Sequence, residues 1–211
     1  MTTAIIGTGV LGSVIARELA SGGEILRLSS ADTESARKLA GQLGSGAVAA
    51  LSNRDALEGA DAVILALRFT VLKGVMDDLA SALAGKLVVV PSNPLTADAQ
   101  GNVSRVLPEG QASGEVVAGW LPAAAHLAMA FGTLSASLLE SSGGRSPEPA
   151  VLFYVTDDDQ AGEAVGRLIR TAGFAPVKAG GLGQSGRLEV GGDLHDLIVS
   201  PAQARSLAAR S

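Results

Sequence analysis

Three glycines, Gly7, Gly9 and Gly12, stand in G-x-G-x-x-G spacing directly after a short apolar run and directly before an apolar helical stripe. The chain holds 27 glycines, so the spacing acquires meaning only from those flanks. In such a turn the first glycine permits a tight reversal, the second lets backbone approach a pyrophosphate, and the third allows the helix to lie close to the strand. The free N–H groups and positive dipole end of that helix favour a bound anion. The competing reading is a glycine-rich strand-to-helix turn that holds nothing. With a strand before and an amphipathic helix after, the pattern predicts a dinucleotide cradled by Gly7, Thr8, Gly9, Val10, Leu11 and Gly12.

Three further polar clusters also follow predicted strands. Ser29 and Ser30 stand where an acidic residue would accept hydrogen bonds from the ribose diol of NAD. Hydroxyls there can donate to a 2′-phosphate, with Arg37 or Lys38 supplying charge, which favours NADP. Asp32, two residues later, argues the other way, and the serines could simply cap a helix. In "LRFT", Leu67, Arg68 and Phe69 could pack along the cofactor edge, although Phe69 would equally suit the core. In "PSNPL", Asn93 carries a donor and an acceptor suited to the nicotinamide end while Pro94 stiffens the turn, or the pair is only an Asn-Pro turn.

No acid/base or nucleophile constellation is visible, so no catalytic residue is assigned. His126 opens a predicted strand near the expected crevice, where it could touch a substrate or serve structure alone. His195 reads as remote from every strand end. "TDDDQ", Thr156–Gln160, reads as a solvated helix start rather than a magnesium site. With no cysteine and two histidines, thiolate and His-rich metal sites are disfavoured.

The elements that must position these clusters alternate along the chain. Predicted strands are Ala4–Ile6, Ile25–Leu28, Ala47–Ala50, Ala62–Leu67, Leu87–Val90, His126–Phe131, Val151–Val155 and Pro176–Ala179. Helical periodicity fills several gaps, notably from Asp32, in "FTVLKGVMDDLASAL" and in "DQAGEAVGRLIRTAG", whereas Thr96–Gly114 and Ser141–Pro149 read as long loops. The pattern predicts an α/β Rossmann-like, doubly wound, mostly parallel sheet with helices on both faces. A single domain over 1–211 is expected, with a dinucleotide-binding core at 1–140 and a strand-helix extension at 141–211 that completes the sheet and second-substrate pocket.

The bulk numbers narrow the classes of function. At 47% hydrophobic and 18% charged residues the chain is a globular, aliphatic-core protein. A net charge of −5 with scattered Lys and Arg argues against a nucleic-acid binder. Val116 to Leu139 lacks charge and has membrane-spanning length, but Pro122, His126 and Gly or Ser interruptions break it. No targeting segment precedes the glycines, and the cytoplasm is the expected compartment.

Together, "AIIGTGVLGSVIARELASGGE", "DAVILAL", "PSNPL", "WLPAAAHLAMAFGTL", "VLFYVTDD" and "GFAPVKAGGLGQSGRLE" resemble the coenzyme F-420-dependent NADP oxidoreductases. The resemblance implies NADP(H) across the strand ends, exchanging a hydride with a flat deazaflavin beside its nicotinamide. It implies pyrophosphate on Gly7–Gly12, the 2′-phosphate near Ser29 and Ser30, the cofactor edge on Leu67 and Phe69, and the nicotinamide side at Asn93 and Pro94; a second-substrate pocket is expected near His126 and Met129. Well-known members carry Ser-Arg-Arg after the second strand, where this chain has Ser29, Ser30 and Ala31. They often carry a lysine and an asparagine around the Ala-Phe pair, where this chain has Met129 and Gly132.

Other readings are a nucleotide-binding regulatory or sensor protein without turnover, and a reductase of small imines or 3-hydroxy acids. The latter normally adds a large helical domain for which about 30 residues after the last predicted strand leave no room. A homodimer is expected from fold analogy.

Overall fold

The computed structural model describes residues 1–209. Six short strands make one parallel sheet: β1 (Thr2–Ile6), β2 (Ile25–Ser29), β3 (Ala47–Ala49), β4 (Ala62–Leu65), β5 (Leu87–Val90) and, after the intervening hairpin β6 (Leu95–Ala97) and β7 (Val103–Arg105), β8 (His126–Met129). The order across the sheet is β3-β2-β1-β4-β5-β8, all neighbours parallel. Strand order reverses between β1 and β4, so the crevice of such a sheet lies over their carboxyl ends. This is the doubly wound fold that the alternation of strands and helices predicts.

The strands read as unbroken aliphatic runs because both faces are covered. Ile5, Ile64 and Val89 face one layer while Ala4, Ile6, Val63, Leu65, Val88 and Val90 face the other, the period-2 alternation of a pleated strand. The first layer contains α1 (Val10–Ser21) and α2 (Thr33–Leu43), which contribute Val14, Ile15, Leu19 and Leu39. The second contains α3 (Asn53–Leu57) and α4 (Phe69–Leu83), contributing Leu57, Leu72, Met76, Leu79 and Leu83. Each fully buried Leu contributes roughly 1.5–3 kcal/mol over an exposed one.

The rest of the chain departs from expectation in places. The region 96–114, expected as a loop, folds as the antiparallel hairpin β6–β7 and the start of α5 (Ser113–Ala118). The uncharged stretch 116–139 is divided among α5, β8 and the start of α6 (Ala136–Ser142), and among the described residues no helix is long and apolar enough to cross a membrane. Beyond it, β9 (Val151–Tyr154), α7 (Asp159–Thr171) and β10 (Ala175–Lys178) form a parallel pair joined by a helix. One antiparallel bridge, Met129 with Val155, ties that unit to β8, so the extension runs against the main sheet. A short 3-10 turn at Leu182–Arg187 and α8 (Pro201–Ala208) complete the described chain.

Candidate functional site

The glycine loop leaves the end of β1 under constraints that only part of it feels. Gly7 has φ +100°, donates its N–H to the Ser29 carbonyl at 2.8 Å, and leaves only 2.3 Å between an added Cβ and the Ala66 carbonyl oxygen. A Cβ on Gly12 would lie 1.9 Å from the Gly7 carbonyl oxygen, so these two glycines are required by the close approach of α1 to the strand ends. Gly9 differs: its φ is −70°, open to any residue, and a Cβ there would meet nothing within 4 Å. The buried Thr8 hydroxyl has no partner, and α1 begins without a side-chain cap or an acidic residue in its first turn. A free helix N-terminus, a hydroxyl donor and open space beside Gly9 fit the pyrophosphate of a dinucleotide.

One crevice of about 360 Å³ brings three of the four clusters together: Gly9 to Gly12, Ala66 to Phe69, and Pro91 to Asn93. Val10 is 79% exposed there, and Arg68 is exposed at the uncapped start of α4. Phe69 lines the crevice floor but belongs mainly to the core, 4% exposed with its ring 5.4 Å from that of Trp120. Pro94 is buried, and its carbonyl accepts from Val106 at 2.9 Å, anchoring the β6–β7 hairpin.

The second cluster lies beside this crevice rather than in its walls. The Ser29 hydroxyl is buried and donates to Asn53 Oδ1 at 2.7 Å, which leaves Ser30 as the accessible hydroxyl at the end of β2. Asp32 caps α2 by accepting from the Glu34 N–H at 3.1 Å, and the Ser35 hydroxyl and that N–H hold its carboxyl below the usual carboxylate range. Arg37 turns toward Glu34 at 3.8 Å, and Arg54 donates to the Asp78 carbonyl at 3.0 Å.

At the far end of the crevice the Asn93 side chain acts as a clip. It donates to the Gly132 carbonyl at 3.3 Å and accepts from the Val190 N–H at 2.7 Å, joining the ends of β5 and β8 to the C-terminal segment. Glu189, next in chain, is buried and accepts from the Ser113 hydroxyl at 2.6 Å and from Arg105 of β7. The Ser185 hydroxyl accepts from the Gly114 N–H at 2.8 Å. Together they enclose a niche of about 20 Å³ walled by Val90, Ser92, Asn93, Met129, Thr133 and Glu189 among others. Met129 is one wall of this niche. Gly132 permits the enclosure, since a Cβ there would sit 2.0 Å from the Pro91 carbonyl oxygen.

Two histidine expectations are corrected. His126 pairs with Leu87 at the opening of β8, and a residue that opens a parallel strand sits at the edge opposite the crevice. There it meets Asp158, whose carboxyl is held below its usual value first by the hydrogen bond from His126 and which also caps α7 through Gln160 and Ala161. His195, expected to be remote, belongs to a segment that folds back onto the carboxyl end of β8. The Asp196 N–H donates to the Thr133 carbonyl at 2.7 Å, and Asp196 Oδ1 accepts from the Ser135 N–H at 2.6 Å. Sequence reasoning assigned no role to Ser92, Ser113, Thr133, Ser185 or Glu189, although "PSNPL", "AFGTL" and "GQSGRLE" carry all of them but Ser113.

Residues 2–94 match the protein family described as NADP oxidoreductase coenzyme F420-dependent. The chain is similar to the crystal structure of the hypothetical protein SMa0349 from Sinorhizobium meliloti, at 29% identity over 95% of each chain and a TM-score of 0.83. A structure described as "putative f420 dependent nadp-reductase" from Arthrobacter sp. FB24 matches at 21% identity over 85% of each chain, TM-score 0.72. An imine reductase from Myxococcus stipitatus, in complex with NAD+, matches at 18% identity over 90% of this chain and 58% of that one, TM-score 0.64. No curated protein matches the chain.

Proposed function

We propose that this chain, an NAD(P)-dependent oxidoreductase by its family match, exchanges a hydride between NADP(H) and a flat deazaflavin- or flavin-like acceptor of the coenzyme F-420 type. The observation that carries the reading is Gly9, a glycine that nothing in the protein requires, facing a crevice bounded by the uncapped first turn of α1. The dinucleotide supplies the hydride chemistry. The protein holds it: Gly7 to Gly12 face the pyrophosphate, Ser30 the 2′-phosphate side, Leu67 and Arg68 the cofactor edge, and the Asn93 turn the nicotinamide side. Such chemistry asks for two rings held at reaction distance with water kept away, and needs no nucleophile.

Asp32 favours a second reading for cofactor choice. Its carboxylate, kept ionised two residues from Ser30, repels a 2′-phosphate and suits the diol of NAD, while Arg37 is drawn to Glu34. Titrating NADPH and NADH against the pure protein decides between the two. The proposal expects tighter NADPH binding, and Asp32→Ser, which keeps a capping residue, should widen the preference about tenfold. Tighter NADH binding by wild type would overturn the NADP assignment. Mixing the protein with NADPH and coenzyme F-420 while following deazaflavin absorbance tests turnover. Absence of turnover with F-420, a flavin or ferric chelates would favour a nucleotide sensor.

A further inference from the structure

We propose that the niche between the ends of β5 and β8 receives one neutral carbonyl oxygen, with Thr133 as its hydrogen-bond donor. The inference rests on the dinucleotide reading above, because the niche shares Pro91, Ser92 and Asn93 with the crevice and adjoins its nicotinamide end.

Three properties of the niche lead to this ligand. Thr133 is 1% exposed, and its hydroxyl has no partner at all, whereas each neighbouring hydroxyl has at least one: Ser92 donates to Leu67, Ser113 donates to Glu189, and Ser185 accepts from Gly114. A buried hydroxyl left unpaired costs stability, and a ligand oxygen accepting its proton would recover that cost. The volume, about 20 Å³, admits one oxygen-sized group and no ring. The only charged group in the wall is the Glu189 carboxylate, which is already paired with Arg105 behind it, and no Lys, Arg or His lines the niche itself. An incoming carboxylate or phosphate oxygen would find no cation in the wall to balance its charge, because Arg105 lies behind Glu189 and is taken up by it, while a neutral carbonyl needs none.

A neutral carbonyl can come from two sources, the carboxamide of the nicotinamide or a ring carbonyl of the hydride acceptor.

Thr133→Val and Thr133→Ser in the full chain test the assignment. The isosteric valine should leave the ligand-free melting temperature equal to or above that of wild type, because it removes a hydroxyl without a partner. It should weaken one interaction about three- to tenfold, the worth of a hydrogen bond, and the serine should restore it. Weaker NADP+ binding with unchanged 2′-phospho-ADP-ribose binding assigns the carboxamide. Unchanged NADP+ binding with weaker F-420 binding to the NADP+-loaded protein, read from deazaflavin fluorescence, assigns the acceptor. If wild type binds NADP+ and Thr133→Val binds both ligands as well as wild type does, the niche holds only water and the inference is overturned. If wild type binds neither NADP+ nor NADPH, the dinucleotide reading fails first and the niche assignment falls with it.

Discussion

At the amino ends of the parallel strands Thr3 donates to Glu24 at 2.7 Å, the Thr2 N–H to Asp61 at 2.9 Å, Lys86 to the Ala60 carbonyl at 2.6 Å, and His126 is paired with Asp158. At the carboxyl ends the buried hydroxyls of Thr8 and Thr133 have no partner, and the helices that start there after β1 and β4, on either side of the switch point, lack the side-chain caps that α2 and α3 have farther along the same edge and α7 has elsewhere. Both edges belong to the same sheet and are built from the same kinds of residue. The difference is that one edge is finished by the protein alone. The other keeps donors whose partners must come from outside, and polar groups that are costly to leave unpaired mark where a ligand is expected. Asn93 and Glu189 belong to the finished class although they stand at the unfinished edge: their groups are spent on neighbours, so they shape the crevice.

The glycine loop offers the sharpest way to break that comparison, because it contains both classes within four residues. Gly12→Ala puts a Cβ 1.9 Å from the Gly7 carbonyl oxygen and should cost about 3 kcal/mol of unfolding free energy or prevent folding, measured by urea denaturation. Gly9→Ala meets no protein atom and should melt within a degree or two of wild type, yet bind NADPH on the order of tenfold more weakly, because the new methyl occupies ligand space. Equal loss of stability in both variants would show that Gly9 is structural after all. Equal NADPH binding by Gly9→Ala and wild type would remove the observation on which the functional proposal stands.

How much of this was readable beforehand follows the same division. The cores of β1, β4 and β5 were legible because a strand covered on both faces must be aliphatic at every position, as in Ala62–Leu65 and Leu87–Val90. The glycine loop was legible because its constraints are local. The Ser113–Glu189 bond joins residues 76 apart, and a single threonine such as Thr133 carries no periodicity, so the niche was invisible. The short helices α5 and α6, with 6 and 7 residues, are too brief to show a helical stripe, and the hairpin between β5 and α5 has strands of three residues. His126 was misplaced for an avoidable reason, since chain direction in a parallel sheet already puts a strand's first residue at the edge away from the crevice.

The finished edge carries the smallest expected effects, and they are of stability alone. Asp158 is the N-cap of α7, so Asp158→Ala should lose about 1 kcal/mol, whereas Asp158→Asn keeps a capping oxygen and removes only the charge. The carboxyl of Asp158 is held below the usual value chiefly by His126, so its ionised form favours the folded state. That contribution is present above the unfolded carboxylate range, about pH 4, and is lost as pH falls through the lower folded value. The stability difference between wild type and Asp158→Asn should therefore be modest at neutral pH, because the pair is partly exposed, and should vanish in strong acid. Urea titrations from pH 2.5 to 7 read the difference directly. Neither Asp158→Asn nor His126→Gln should move the affinity for NADPH, since both residues lie at the strand openings. If either weakens NADPH binding while the melting temperature holds, the two edges communicate, and the separation of a finished scaffold from an unfinished site fails at His126.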